Sequence, residues 1–472
     1  MANFYRLYNT AGLAYDFGDV TVFGLNFSSK LGIPRAERSF SQPYKRSKDP
    51  LSSISYGNRQ AELMVQLRAS SVNNLQAGLN TINRIIDGVE RYNESQGSFG
   101  YKAWFVVSPN GYSSTPVQFE IQAAELQDDD VFQQAVQDVY IEPECKLILW
   151  LSPFGQEQQL ASESLSINTG AETAVFFTDH GTRKAPARVT WKQDNNRELQ
   201  RLIIGKRTRG NTRNFISVME CESGTFTGYT VTHLGVGFGA NAVDANCHNG
   251  MKTGSWAGGA AAADLIKWTI TSNLEDFYGT FKVYLRVAAS QAYNLQLFYG
   301  GGDGKAIPNS PVSIANPTFS YTVFELGTIR IPHMAQFGRG VLTEYNFVLA
   351  QTTSVANALD CIYLVPADEE VMDLAFQSQL TGTTPVEVVS DDLDFSLLGY
   401  AMYNNGVQYP VPYTPRAHTG FSIDPGDVKP NLFIPLVLSK PSADSDAYVH
   451  SLTGTGSIKV EFQPHWDLLA DV

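Results

Sequence analysis

The chain reads as all-β, mainly antiparallel, with one amphipathic helix. Three observations lead there. Short apolar runs alternate with polar residues along most of the sequence, and turn residues bound each run. Glycine (39) and proline (22) are abundant among the 472 residues. Apolar residues make up 43%, aromatics 12% and charged residues only 17%, a folded and turn-rich balance. A chain this long exceeds one core and implies about two to four domains.

The first third supplies TVFGLNF, AELMVQLRA, KAWFVVS, VQFEIQAAEL and CKLILWLSPFG as strands. Between the second and third, Val72 to Tyr92 carries Leu75, Leu79, Ile82, Ile85, Ile86 and Val89 at helical spacing. The apolar stripe must be buried, so the helix covers an open face or edge of a β-barrel over residues 1–155. GQEQQLASESLSINTG then looks like a linker. TAVFFTD and ARVTWK open a β-sandwich (165–205), and NLFIPLVLS and SIKVEFQPHW close it (380–472). The section between, 206–379, has Gly-rich loops and the strands GTFKVYLRVA, YNLQLFY, FELGTIRI, EYNFVLA and DCIYLVPA, as an inserted jelly roll would.

Composition bears on function. The net charge of -13 is spread along the chain, and basic clusters such as GKRTRGNTR are short, so no nucleic-acid footprint is visible. Cys145, Cys221, Cys247 and Cys361 show no CxxC spacing, which argues against a disulfide scaffold or zinc ribbon and suits a reducing compartment. No run reaches the ~18–20 apolar residues of a membrane span, and the first residues lack the pattern of a signal peptide. GVGFGA lacks dinucleotide-loop spacing, and the seven histidines form neither HExxH nor a partner to GxSxG. The acids Asp128 to Asp130, Asp391, Asp392 and Asp394 read as hydrated turns, and Cys247–His248 as structural or incidental. No catalytic residue is expected.

Glu220 and Glu222 differ, because on a strand they straddle Cys221 and share a face. Either both face water on an edge strand, or a cation sits between them; calcium takes six to eight oxygens, and Asp360 on a neighbouring strand is a candidate third carboxylate. Trp256, Trp268, Tyr293 and Tyr299 are either core or faces on which a sugar ring stacks, Trp256 being favoured by its Gly-rich loop.

Two resemblances follow from these residues. ECESGTFTG, YGTFKVYLRV and LDCIYLVPADE resemble carbohydrate-binding jelly rolls with a Glu-x-Glu first strand, a G-x-[YF]-x-[VL]-x-x-R middle strand and a last strand opening with Asp. That likeness, over Phe215 to Ala367, implies a structural calcium on Glu220, Glu222 and Asp360. The order of parts, with the G-x-x-x-A-P-A-x-[VI] stretch Gly181 to Val189 and the closing IKVEFQPHW, resembles distal tail or tail-baseplate proteins of long-tailed bacteriophages. It implies a non-enzymatic virion protein, assembled in the host cytoplasm, whose tube-like N-terminal domains form a ring, usually of six copies. Such a ring joins the tail tube to hub and fibre proteins, with host glycan contact through the jelly roll. The rival readings are a freestanding carbohydrate-binding protein or adhesin, and a glycan-cleaving enzyme, which needs two carboxylates opposed across a cleft.

Overall fold

The computed structural model describes residues 4–17, 38–41, 53–56, 58–66, 72–108, 116–127, 144–157, 160–167, 174–176, 181, 183–193 and 199–208. Further along it describes 215–234, 242–243, 247–248, 252–256, 263–271, 274, 277–290, 293–305, 307–314, 321–331, 343–351, 357–368, 370–380, 386–391, 399–404, 407–408, 413–418, 420–424, 431–438, 448–449 and 456–466. TVFGLNF, GVGFGA, Asp128 to Asp130, Asp392 and Asp394 lie outside them. Strands dominate, every strand pair below is antiparallel, and the chain divides into two compact units. No helix among the described residues is long and apolar enough to cross a membrane.

The first unit comprises 1–160, 180–184 and 463–472. Its main sheet runs in the order Ala14–Phe17, Phe4–Asn9, Ala103–Ser108, Val117–Gln127, Glu144–Leu151, Arg59–Gln66. Gly155–Glu157 joins this sheet beside Val117–Gln127 and carries His465–Trp466 on its other side. The helix Val72–Glu94 packs on this sheet, its Leu79, Ile82, Ile85 and Val89 sharing one core with Leu7, Leu63, Phe105, Phe119 and Leu147. It ends where Gln96 and Gly97 turn left-handed (φ 52° and 88°) and the Gly97 amide donates to the Tyr92 carbonyl.

The next turn is tightly built. The Ser95 hydroxyl accepts from the Phe99 amide (2.7 Å) and donates to the Phe99 carbonyl (2.8 Å), and the Tyr101 amide donates to Gly88 O (2.9 Å). At Gly100 (φ 86°) a Cβ would lie 2.4 Å from both Gly88 O and Tyr92 N, so only glycine lets the chain pass this close to the helix.

The final strand of the sequence divides. Gly456–Phe462 belongs to the second unit, while His465–Trp466 pairs with Gly155–Glu157 in the first. His465 stacks on Phe154 and bridges to Arg183. Burial pushes its imidazole down to about 4, against a backbone hydrogen bond with Lys184 that acts the other way. The unfolded chain, at the ordinary 6.5, therefore takes up the proton first, so this contribution is complete above pH 6.5 and is lost as pH falls towards 4. The first unit is expected to lose ~1–3 kcal/mol across that window, and His465→Gln to flatten the loss; melting curves against pH read both.

The second unit, 161–179 and 185–462, is four sheets deep. The first sheet runs Ala161–Ile167, Gly456–Phe462, Ala185–Gln193, Val386–Asp391, Gly399–Asn404, Val407–Gln408. The second runs Ala174–Phe176, Asn431–Leu438, Leu199–Arg207, Glu370–Leu380, Tyr413–His418. One core, including Val189, Trp191, Leu202, Ile204, Met372, Leu374 and Phe433, lies between them.

The third sheet centres on Lys252–Trp256, Asn357–Pro366, Gly279–Ser290 and Thr322–Ile331, and the fourth on Tyr229–His233, Ala263–Ile270, Tyr345–Gln351 and Tyr293–Gly300. Leu285, Leu297, Trp268, Phe281, Phe347 and Leu364 fill the space between. A separate core joins the second sheet to the third: Ile203, Leu432, Ile434, Leu436 and Leu438 meet Tyr284, Val323, Cys361, Tyr363 and Val365. Leu199–Arg207 is consequently buried along its whole length. The two sheets approach so closely at Gly205 that a Cβ there would lie 2.3 Å from Pro366 O.

Several sequence boundaries shift. GQEQQLASESLSINTG is not a linker but carries Gly155–Glu157 and Ala161–Ile167, an edge strand laddered to Gly456–Phe462. Backbone pairing needs no large side chain, so a Ser-rich edge passes for a loop. Glu370–Leu380 pairs with Leu199–Arg207, not with the jelly roll, because Met372, Leu374 and Phe376 alternate into the sandwich core. Tyr448–Val449, in the closing segment, pairs with the jelly-roll strand Thr322–Ile331.

Candidate functional site: a buried charge cluster on the jelly roll

Strand Val218–Glu220 pairs with Asn357–Pro366, bringing Glu220 opposite Cys361. On its other side Asn357–Pro366 pairs with Gly279–Ser290, and there the register slips: Arg286 faces Cys361 while Val287 faces Leu359. Asp360 is the extra residue of a bulge, a distortion that re-aims a side chain. Leu359, Ile362 and Leu364 still point into the jelly-roll core, whereas Cys361, Tyr363 and Val365 point towards the sandwich.

Asp360 and Arg286 form a salt bridge with both side chains buried. The His248 backbone amide donates to both Asp360 oxygens (3.0 and 3.2 Å), and His248 Nδ1 lies 2.5 Å from Glu220 Oε1. Arg286 lies 4.2 Å from the Tyr321 ring centroid, and His248 meets Tyr363 edge-on. Main-chain bonds fix Glu220: its amide donates to the Tyr229 hydroxyl (3.0 Å), and its carbonyl accepts from the Trp268 indole (2.6 Å). Burial pushes the Asp360 carboxyl up, opposed by Arg286. Burial would lower Arg286, but Tyr363 and Asp360 outweigh it and hold the cation above its ordinary value. Burial first, then Asp360, Glu220 and Glu222, push the Cys221 thiol well up and keep it protonated.

The residues do not fit the calcium that the resemblance implied. The strand stops at Glu220, so Glu222 falls in the bend after it, half-buried, and the alternation that put both acids on one face does not extend that far. Asp360 already accepts from Arg286 and His248, and Glu220 already meets the His248 ring. Among the described residues no three His, Cys, Asp or Glu side chains are grouped as metal ligands. Arg286 and His248 were missed as partners. Arg286 is the last residue of the G-x-[YF]-x-[VL]-x-x-R stretch Gly279 to Arg286, which was the available signal. His248 had none beyond its place beside Cys247.

The aromatic candidates divide. Trp268 is fully buried in the jelly-roll core. Tyr299 is buried too, its hydroxyl accepting from the Arg330 amide (3.4 Å). Neither face is offered to a sugar. Trp256 and Tyr293 end and begin the strands Lys252–Trp256 and Tyr293–Gly300, with backbone partners Asn357 and Ile314; their side chains lie outside the described residues.

A second cluster, unsuspected from sequence, lies between sandwich and jelly roll. Arg201 grips Asp373 with two bonds (Nε 2.9 Å, Nη2 2.8 Å) and reaches Glu325 (3.1 Å) and the Tyr284 hydroxyl (3.3 Å), while Lys282 adds a bond to Asp373 (2.5 Å). Nearby in sequence, buried Lys206 meets Asp424 (3.1 Å), Glu370 (3.3 Å) and Ser422 (3.3 Å).

No family model matches the chain, and no curated protein matches it either. Among solved structures it is similar to the SPP1 Dit protein (gp 19.1), described as a paradigm of the hub adsorption apparatus in phages infecting Gram-positive bacteria. That match has 9% identity over 43% of this chain and 69% of the other, with a TM-score of 0.26. It is also similar to the N-terminal CBM22-1–CBM22-2 tandem domain of Paenibacillus barcinonensis Xyn10C, at 10% identity over 57% of this chain and 98% of the other, with a TM-score of 0.18. At scores this low neither likeness carries an argument about function.

Proposed function

We propose that the chain is a structural protein of a bacteriophage tail tip, a distal tail protein whose copies close into a ring between the tail tube and the hub or fibres. The reading starts from the order of parts in the sequence. The observation that carries it further is the turn after the helix, which holds two large apolar side chains in water: Phe99 is 74% exposed and Tyr101 49%. Hydrogen bonds brace this turn on both sides of Phe99, so the exposure belongs to a fixed surface. Preformed aromatic knobs are what an assembling subunit uses as anchors, since little ordering entropy is lost on contact.

Replacing both Phe99 and Tyr101 by Ser is expected to leave circular dichroism and melting unchanged and to weaken ring assembly at least ~10-fold, read by sedimentation. Rings from the variant at wild-type concentrations would remove this surface from the account. A wild-type chain that stays monomeric would remove the ring itself.

A further inference from the structure

We propose that Arg286 is the resident cation of this jelly roll and that the domain holds its shape without a metal ion. The resemblance places a divalent cation among Glu220, Glu222 and Asp360; the geometry puts a guanidinium against Asp360 instead. Three features make Arg286 suited to that place. Its partner, Asp360, is the bulged residue of Asn357–Pro366, so the backbone itself aims the carboxylate. Its guanidinium carbon lies over the Tyr321 ring, 4.2 Å from the centroid, a contact that suits a weakly hydrated cation better than a compact one. It sits on the central strand Gly279–Ser290, between Asn357–Pro366 and Thr322–Ile331, and is fixed on both sides by the ladder.

One oxygen of Glu220 is also met from within the chain. Glu220 meets the His248 ring, and the same residue's backbone amide serves Asp360, so His248 joins the two carboxylates. A calcium ion entering here would compete with Arg286 for the same Asp360 oxygens and would sit beside a buried like charge, a repulsion that falls only slowly with distance where water is excluded. Glu222 lies in the bend beyond the strand end, so strand alternation does not place it on the face of Glu220. The inference stands on this geometry and is independent of the tail reading.

The test uses the full chain. Wild-type protein is expected to melt at the same temperature in EDTA and in millimolar calcium chloride, and equilibrium dialysis to find no tightly bound calcium. Arg286→Ser is expected to melt about 10 °C lower, because it strands a buried carboxylate, and to regain part of that loss in calcium chloride once Asp360 is released. Should Arg286→Ser not fold, the Arg286→Met/Asp360→Leu double variant removes both charges and is expected to fold without metal. A wild-type melting point that drops in EDTA and returns with calcium, or one calcium ion bound per chain at dialysis, would overturn the proposal.

Discussion

Asp373→Ala is expected to cost the second unit about 3–5 kcal/mol, the usual consequence of removing one partner from a buried ion cluster. Asp373 is fully buried and accepts from Arg201 twice and from Lys282 once. Its loss leaves two cations without their shared counter-charge, one of them, Arg201, only 3% exposed at its side chain. Burial alone would raise the Asp373 carboxyl, but the hydrogen bonds and charges of Arg201 and Lys282 prevail and hold it below the ordinary 3.8. The folded-state value is depressed, so the stabilisation is present above pH 3.8 and is lost as pH falls through the lower folded value. The Asp373 contribution to the second unit should therefore be lost only in strong acid, and Asp373→Asn should lack that step. Denaturant titrations at pH 7 and pH 3 measure both; a loss below about 1 kcal/mol at pH 7 would mean that the cluster is open to water. Because Arg201 and Asp373 belong to the sandwich and Lys282 and Glu325 to the jelly roll, the same experiment reports whether those parts unfold together.

Trp268→Ala is expected to cost a further class of stability, about 3–5 kcal/mol of core packing. The indole is fully buried among Val231, Leu297 and Phe347 in the jelly-roll core. Its Nε1 also donates to the Glu220 carbonyl, so the substitution loosens the strand end that carries the charge cluster. The sequence left open whether this tryptophan stacks on sugar. If packing is its role, the variant melts early whatever glycan is present. A variant with wild-type melting and altered glycan binding would return Trp268 to the binding surface.

How much was legible depended on what each signal measures. The helix was readable because its stripe of Leu79, Ile82, Ile85 and Val89 repeats at 3.6, and only its end moved, from Tyr92 to Glu94. The strand Leu199–Arg207 was not, although it is buried on both faces, because Arg201, Lys206 and Arg207 read as solvent-facing charge until partners on other strands are known. Asp360 was singled out on the right strand as a candidate metal ligand, and its salt bridge with Arg286 was not foreseen. Alternation assigns faces by counting in twos, and a one-residue bulge resets the count without leaving any mark in composition. Nothing in VMDLAF sets Asp373 apart; its importance comes from Arg201 and Lys282, both distant in sequence.

The tail-tip reading turns on assembly, so its most direct test is the mass of the intact chain with images of the same sample by negative stain. The account predicts a closed ring, six copies being the expected number, with a central opening wide enough for a tail tube. A monomer at every concentration tested, or an assembly with no such opening, would contradict it.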